Sequence, residues 1–210
     1  MKIYKTILPI ACIAVCSHFF ISCNNSSTST DSTKDTLITV DSPSHEMHTV
    51  PDTATVPISS SAEAIINATF PDTVINGTAK FETTADGKVK MTIDITVALL
   101  ANKNLAVHLH EHGDCGDNGK ASHGHWNPTN SAHGKWGSAA FHLGDIGNIK
   151  LDAKGKGTIT VTTDLWTLGG TAGKNILGKA IIVHSGVDDY TTQPTGNAGG
   201  KIGCGLIQAK

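Results

Sequence analysis

VHLHEHGDC, Val107 to Cys115, is the stretch around which the chain is read. Residues two apart on an extended strand share a face, so His108 and His110 aim both imidazoles at one point. That is how a strand presents a metal ion. Further histidine and carboxylate donors follow at short intervals in GHWNP, AHGKW and FHLGDIGN, between Gly124 and Asn148, and a late one arrives in IIVH, ending at His184.

The chain has 210 residues, 5 cysteines, 11 histidines and a formal net charge of −2. Its length allows one ordinary domain with accessory segments, since single domains most often run to about 100–150 residues. A near-neutral balance offers no basic patch, so nucleic acid is not an expected partner. With 22 glycines and few aromatics, short strands and tight turns are favoured over a helical bundle. Histidine is the outlier, with eight of the 11 falling between His108 and His184.

On both sides of Val107 the sequence alternates like strands. AEAIINATF, INGTAKFETT and KVKMTIDITVAL are β-rich runs from Ala62 to Leu99, with a hairpin signal at Asp86-Gly87. LAVHLHEH is a fourth strand. Gly113 to Ser138 then reads as loop, about 26 residues, and loops that long in a compact domain are usually functional or disordered. GNIKLDAKGKGTITVTTD gives two strands around a turn at Lys154 to Gly157, and NILGKAIIVHSG another. A second glycine-rich loop runs from Val187 to Gly200, and KIGCGLIQAK closes the sheet. The expectation is an all-β, eight-stranded antiparallel barrel or sandwich over residues 62–210, with two long loops placed to build a site.

The N-terminus reads as an export signal over residues 1–22, with Lys2 and Lys5 ahead of an apolar run from Ile7 to Ile21 that is short for a bilayer span. FISC, ending at Cys23, resembles a lipobox, which would make Cys23 a lipid anchor; an ordinary cleaved signal peptide is the alternative. Residues 23–61 are rich in Ser, Thr, Asp and Pro, the composition of a disordered tether. Within it His45, Met47 and His48 offer donors suited to capturing copper, although a solvated linker that happens to carry them is the plainer reading. In an exported chain the two domain cysteines, Cys115 and Cys204, most simply mean one disulfide, two buried thiols being the alternative.

Counted as ligands, His108, His110, His125, His133, His142, His184 and Asp145 supply six imidazoles and one carboxylate. Two four-coordinate sites need eight contacts, so seven side chains suffice only if one imidazole bonds an ion through each nitrogen. His112 and His123 are also available, and spacing alone does not remove them. Imidazole-rich sets suit copper and zinc rather than magnesium or calcium.

From about Ala64 to Lys210 the motifs HLHEHGDC, GHWNP, AHG, HLGDIGN, IIVHSGVDD and GNAGGKIGCG resemble, in order and spacing, the Cu/Zn superoxide dismutase family. The resemblance implies a Greek-key barrel, an architecture of which that family is itself a standard instance. It implies copper on His108, His110, His125 and His184, and zinc on His125, His133, His142 and Asp145, with His125 as the bridge. It places Asp188 as the carboxylate linking a copper-ligand ring to a zinc-ligand ring, and Cys115 with Cys204 as the intrasubunit disulfide. His112 and His123 match no family ligand. The implied reaction is disproportionation of superoxide to dioxygen and hydrogen peroxide by Cu(II)/Cu(I) cycling, with a proton passing through His125 and superoxide as the small-anion substrate, in protection of the cell envelope. Where the family carries an anion-guiding arginine, this chain has Lys201, which keeps the charge and loses the planar fork. Family members occur as dimers and monomers, so a homodimer is open. A metal store without turnover is the rival reading, and an adhesive β-domain a weaker one.

Overall fold

The computed structural model describes residues 56–210. The expectations for the signal segment, Cys23 and the His45, Met47 and His48 group lie outside the described residues. Strand alternation accounts for the core. In β3 (Val89–Thr96), Val89, Met91, Ile93 and Ile95 are buried while the residues between them turn outward. Each such apolar side chain taken from water contributes about 1.5–3 kcal/mol. β1 (Ser61–Ala68) and β2 (Asn76–Thr83) pair antiparallel with each other, and β2 with β3, as a meander.

The remaining strands are β4 (Asn104–His110), β5 (Gly147–Lys150), β6 (Lys156–Thr163), β7 (Ala180–His184), β8 (Lys201–Leu206) and a two-residue β9 (Gln208–Ala209). Their hydrogen-bonded order is β5-β4-β7-β8-β1-β2-β3-β6, with β9 also on β1, and every pairing is antiparallel. A tight turn joins β5 to β6, in which Asp152 N–H donates to the Lys156 carbonyl, so the two ends of the sheet meet and the barrel is nearly closed. The links from β3 to β4 and from β6 to β7 each pass over intervening strands, which makes the topology a Greek key.

β4, β7 and the middle of β8 bury both faces. Leu105, Val107, Leu109, Ile181 and Val183 join the barrel core, and His108, His110 and His184 emerge on the opposite side under the loops. Two connections are longer than expected. The first loop runs from Glu111 to Ile146, because FHLGDI, residues 141–146, is held by bonds to other loops and to β4, and the ladder begins only at Gly147. The second, Asp164 to Lys179, carries Trp166, Leu168 and Ile176 into the core, and Trp166 Nε1–H donates to the Leu143 carbonyl at 2.9 Å, bracing the first loop from beneath. Before β1, Val56 bridges Gly170, and Ser59 N–H donates to the Leu168 carbonyl.

Candidate metal centre

β4 ends at His110, where an isolated bridge sets it opposite His125. Trp126 N–H donates to the Leu109 carbonyl, Leu109 N–H to the Gly144 carbonyl, and Gly144 N–H to the Trp126 carbonyl, so three segments far apart in sequence are laced at one point. Gly144 is required there, because a β-carbon would fall on the Leu109 carbonyl oxygen. His125 and His142 thus reach β4 by backbone bonds that do not depend on any ion.

Two groups of buried donors result. Ligand atoms of His108, His110, His125 and His184 lie within 4.8 Å of one another, and so do those of His125, His133, His142 and Asp145. His125 belongs to both. His112 and His123 stand outside them, exposed, with Glu111.

Outer hydrogen bonds decide which nitrogen of each ring is free. Carboxylates and carbonyls outside the two donor groups only accept, so a ring nitrogen bonded to one carries the proton and leaves its other nitrogen with a lone pair. The His125 and His142 Nδ1 contacts with Asp145 instead join members of one group, where an ion would take the proton's place. His108 Nε2–H donates to Asp188 Oδ2 at 2.9 Å, and His133 Nε2–H to Asp188 Oδ1 at 2.9 Å. His110 Nδ1–H donates to the His123 carbonyl at 2.9 Å, and His184 Nδ1–H to the Gly199 carbonyl at 3.2 Å. The inward nitrogens His110 Nε2 and His184 Nε2 face each other at 3.4 Å.

His108 Nδ1, His125 Nε2 and His133 Nδ1 are buried and have no hydrogen-bond partner among the described residues. His133 Nδ1 lies 3.0 Å from Asp145 Oδ2 without forming a hydrogen bond to it. Buried polar atoms are rarely left so, and converging lone pairs of this kind fit a cation.

Electrostatics points the same way. Burial first, then the neighbouring rings, push His108 and His110 well below the usual imidazole range. Burial likewise brings His184 to about 4 and lowers His142. Burial alone would raise the Asp145 carboxyl, but the His125 ring and the His142 and Gly134 N–H groups outweigh it and hold it at about 2. Neutral rings at His108, His110, His142 and His184 and an ionised Asp145 are the ligand forms copper and zinc require.

Residues with no sequence signal complete the frame. Gln193 braces His133 reciprocally, its Oε1 accepting the His133 N–H and its Nε2–H donating to the His133 carbonyl, both at 2.9 Å. Asn148 on β5 holds Asp188 in the same way, through the Asp188 N–H and carbonyl. Gly196, with φ +68°, leaves the space through which Asp188 reaches His133; a β-carbon there would lie 2.6 Å from His133 Nε2. Cys115 and Cys204 form a disulfide, which joins the first loop to β8. Lys201 opens β8 opposite His184, and its Nζ donates to the His123 carbonyl at 2.6 Å and to Ser122 Oγ at 3.0 Å. One carbonyl therefore separates the ammonium from the His110 ring.

The copper/zinc superoxide dismutase family model matches residues 75–207. The chain belongs to the Cu/Zn superoxide dismutase family. It is 37% identical over 139 residues to the Cu-Zn superoxide dismutase of Paramecium bursaria Chlorella virus 1, covering 63% of this chain and 72% of that protein. It is 38% identical over 144 residues to that of Podospora anserina, covering 65% and 91%. An extracellular Cu-Zn superoxide dismutase of Caenorhabditis elegans is 35% identical over 118 residues, covering 53% of this chain and 52% of that protein. Among solved structures, the clock protein EA4 superposes with a TM-score of 0.65 at 31% identity, covering 73% of this chain and 97% of that one. With the family come the activity, disproportionation of superoxide, and the two metals, copper and zinc.

Proposed function

We propose that His108, His110, His125 and His184 hold copper, that His125, His133, His142 and Asp145 hold zinc, and that Lys201 draws superoxide to the copper side. The observation that carries the assignment is His125: its Nδ1 lies 2.7 Å from Asp145 Oδ1, while its Nε2 is buried, unpartnered and part of the other donor group. One ring thus serves both sites.

The reaction converts two superoxide anions and two protons to dioxygen and hydrogen peroxide. Copper supplies the reversible one-electron exchange, and zinc a fixed charge that orients its ligands. The chain supplies the rest. Lys201 places an ammonium beside the copper donors and attracts a small anion. His108, His110 and His184 are locked in one tautomer by Asp188 and two carbonyls, so their geometry costs no rearrangement between the two half-reactions. Whenever it is not bound to copper, His125 Nε2 would be the atom to hold the proton that one superoxide needs in becoming peroxide, since among the described residues no hydrogen-bond partner competes for it.

Export, a lipid anchor at Cys23 and action at the cell envelope complete the proposal, with monomer and homodimer both open as the assembled form. The Lys2, Lys5 and Ile7–Ile21 pattern supports export, and the disulfide suits an oxidising compartment. Membrane fractionation of a Cys23→Ser variant tests the anchor, and the native mass of the loaded chain tests the dimer.

Metal analysis with a superoxide-consumption assay tests the site. The loaded chain is expected to hold one copper and one zinc and to be active; His184→Ala is expected to keep zinc, bind copper poorly and lose activity. A fully loaded, inactive parent chain would favour a metal store instead.

A further inference from the structure

The third donor group, Glu111, His112 and His123, lies outside both sites and takes no part in the reaction above. Its ligand atoms fall within 4.8 Å of one another, and the His112 and His123 rings are 4.3 Å apart between centroids, inclined at 62°. The backbone fixes this approach: Glu111 N–H donates to the Gly124 carbonyl and His112 N–H to the Ser122 carbonyl, continuing the contact that begins at the His110–His125 bridge. Among the described residues, neither imidazole and neither Glu111 carboxylate oxygen has a hydrogen-bond or ion-pair partner. Lys179 Nζ donates to the Glu111 carbonyl and so leaves the carboxylate free.

A second observation is independent of the donor atoms. His123 has φ +62° and ψ −142°, a conformation that glycine enters freely and that a β-carbon resists. Nothing in the two buried sites uses the His123 side chain; only its carbonyl is engaged, by His110 and Lys201. Glycine would supply that carbonyl without strain. An imidazole held in a disfavoured conformation, with its ring against His112 and a carboxylate alongside, points to a ligand for the side chain itself.

We propose that Glu111, His112 and His123 form a third, surface site for an imidazole-seeking divalent cation such as Zn²⁺ or Cu²⁺, with water filling the open positions. Two imidazoles and one carboxylate match the donor preference of these ions. The site stands beside the copper donors, and the His123 carbonyl links it to both the His110 ring and the Lys201 ammonium.

The test starts from the full chain already loaded with copper and zinc, dialysed against rising Zn²⁺ and analysed for bound metal, so it does not depend on activity. A third equivalent is expected. Losing the partner of a ligand already changes metal affinity about 10–100-fold, so losing a ligand in His112→Ala or His123→Gly should weaken the third ion by on the order of tenfold or more. His123→Gly also relieves the backbone, so its thermal midpoint before Zn²⁺ addition should be no lower than that of the parent. A His45→Ala/His48→Ala variant should keep the third ion. Absence of a third equivalent in the parent overturns the proposal, as does one that survives both loop substitutions or disappears with His45 and His48.

Discussion

His108 and His133, one from each donor group, are tied to the two oxygens of a single carboxylate, each ring nitrogen 2.9 Å from Asp188. The two groups therefore share an outer support as well as the His125 ring. Both N–H donors need an acceptor, and a carboxylate is the side chain that offers two. Asp188→Asn leaves one imidazole N–H facing an NH2 group. Its zinc or copper affinity is expected to fall by roughly 10–100-fold, read by competition with a chelator; unchanged affinity for both metals would contradict this role.

Lys201 is held by Ser122 Oγ and the His123 carbonyl, and partial burial lowers its pKa. Lys201→Arg restores a planar fork that can grip a small anion by two N–H groups, and should raise kcat/KM. Lys201→Gln should lower it several-fold and flatten its dependence on ionic strength. An arginine variant no faster than the parent would show that the fork is not needed here.

The Cys115–Cys204 bond closes a separation of 89 residues. In the chain-entropy model such a link stabilises by about 4–5 kcal/mol. Urea unfolding of the metal-free chain, with and without reductant, should differ by that order. Because the bond ties the loop carrying Ser122 to His125 onto β8, reduction should also speed copper loss. Equal unfolding midpoints would remove the disulfide from this account.

The metal-free chain should be acid-sensitive in a defined window. Burial puts His184 at about 4 and His108 and His110 well below their ordinary values, so between pH 6.5 and about 4 the unfolded chain binds protons that the folded chain refuses. Stability is then fully present above 6.5 and lost as the pH falls, by about 3 kcal/mol from His184 alone. Asp145, held at about 2, adds a further loss only below its ordinary value of 3.8. Urea midpoints across this range check the slope; a flat profile in the metal-free chain would contradict it.

Much of the barrel is legible in period-two patterns. KVKMTIDITVAL and LAVHLHEH show which faces are apolar, and parity alone puts His108 and His110 together. The donor count suggests that one ring serves twice without requiring it, because His112 and His123 are available as well. Which histidines turn inward is not legible: His112 continues the parity of His110 yet is exposed, because β4 ends at His110 and the chain turns with the loop. The connection from Asp164 to Lys179 hides its packing role, since Trp166 and Ile176 follow no strand period. Gln193 and Asn148 carry no signal, because their roles depend on backbone groups that only the folded loops bring near.

In the arrangement proposed above, the His125 ring touches both ions. This sharing is tested most directly by loading the chain with Cu²⁺ in the copper donors and Co²⁺ in the zinc donors and recording the electron paramagnetic resonance of the copper. Through a shared imidazole the two spins couple, so the parent chain should lose the ordinary Cu²⁺ signal, and a His125→Ala chain carrying both ions should regain it. An unperturbed, isolated Cu²⁺ spectrum from the parent with both sites filled would rule out a ring shared by the two ions.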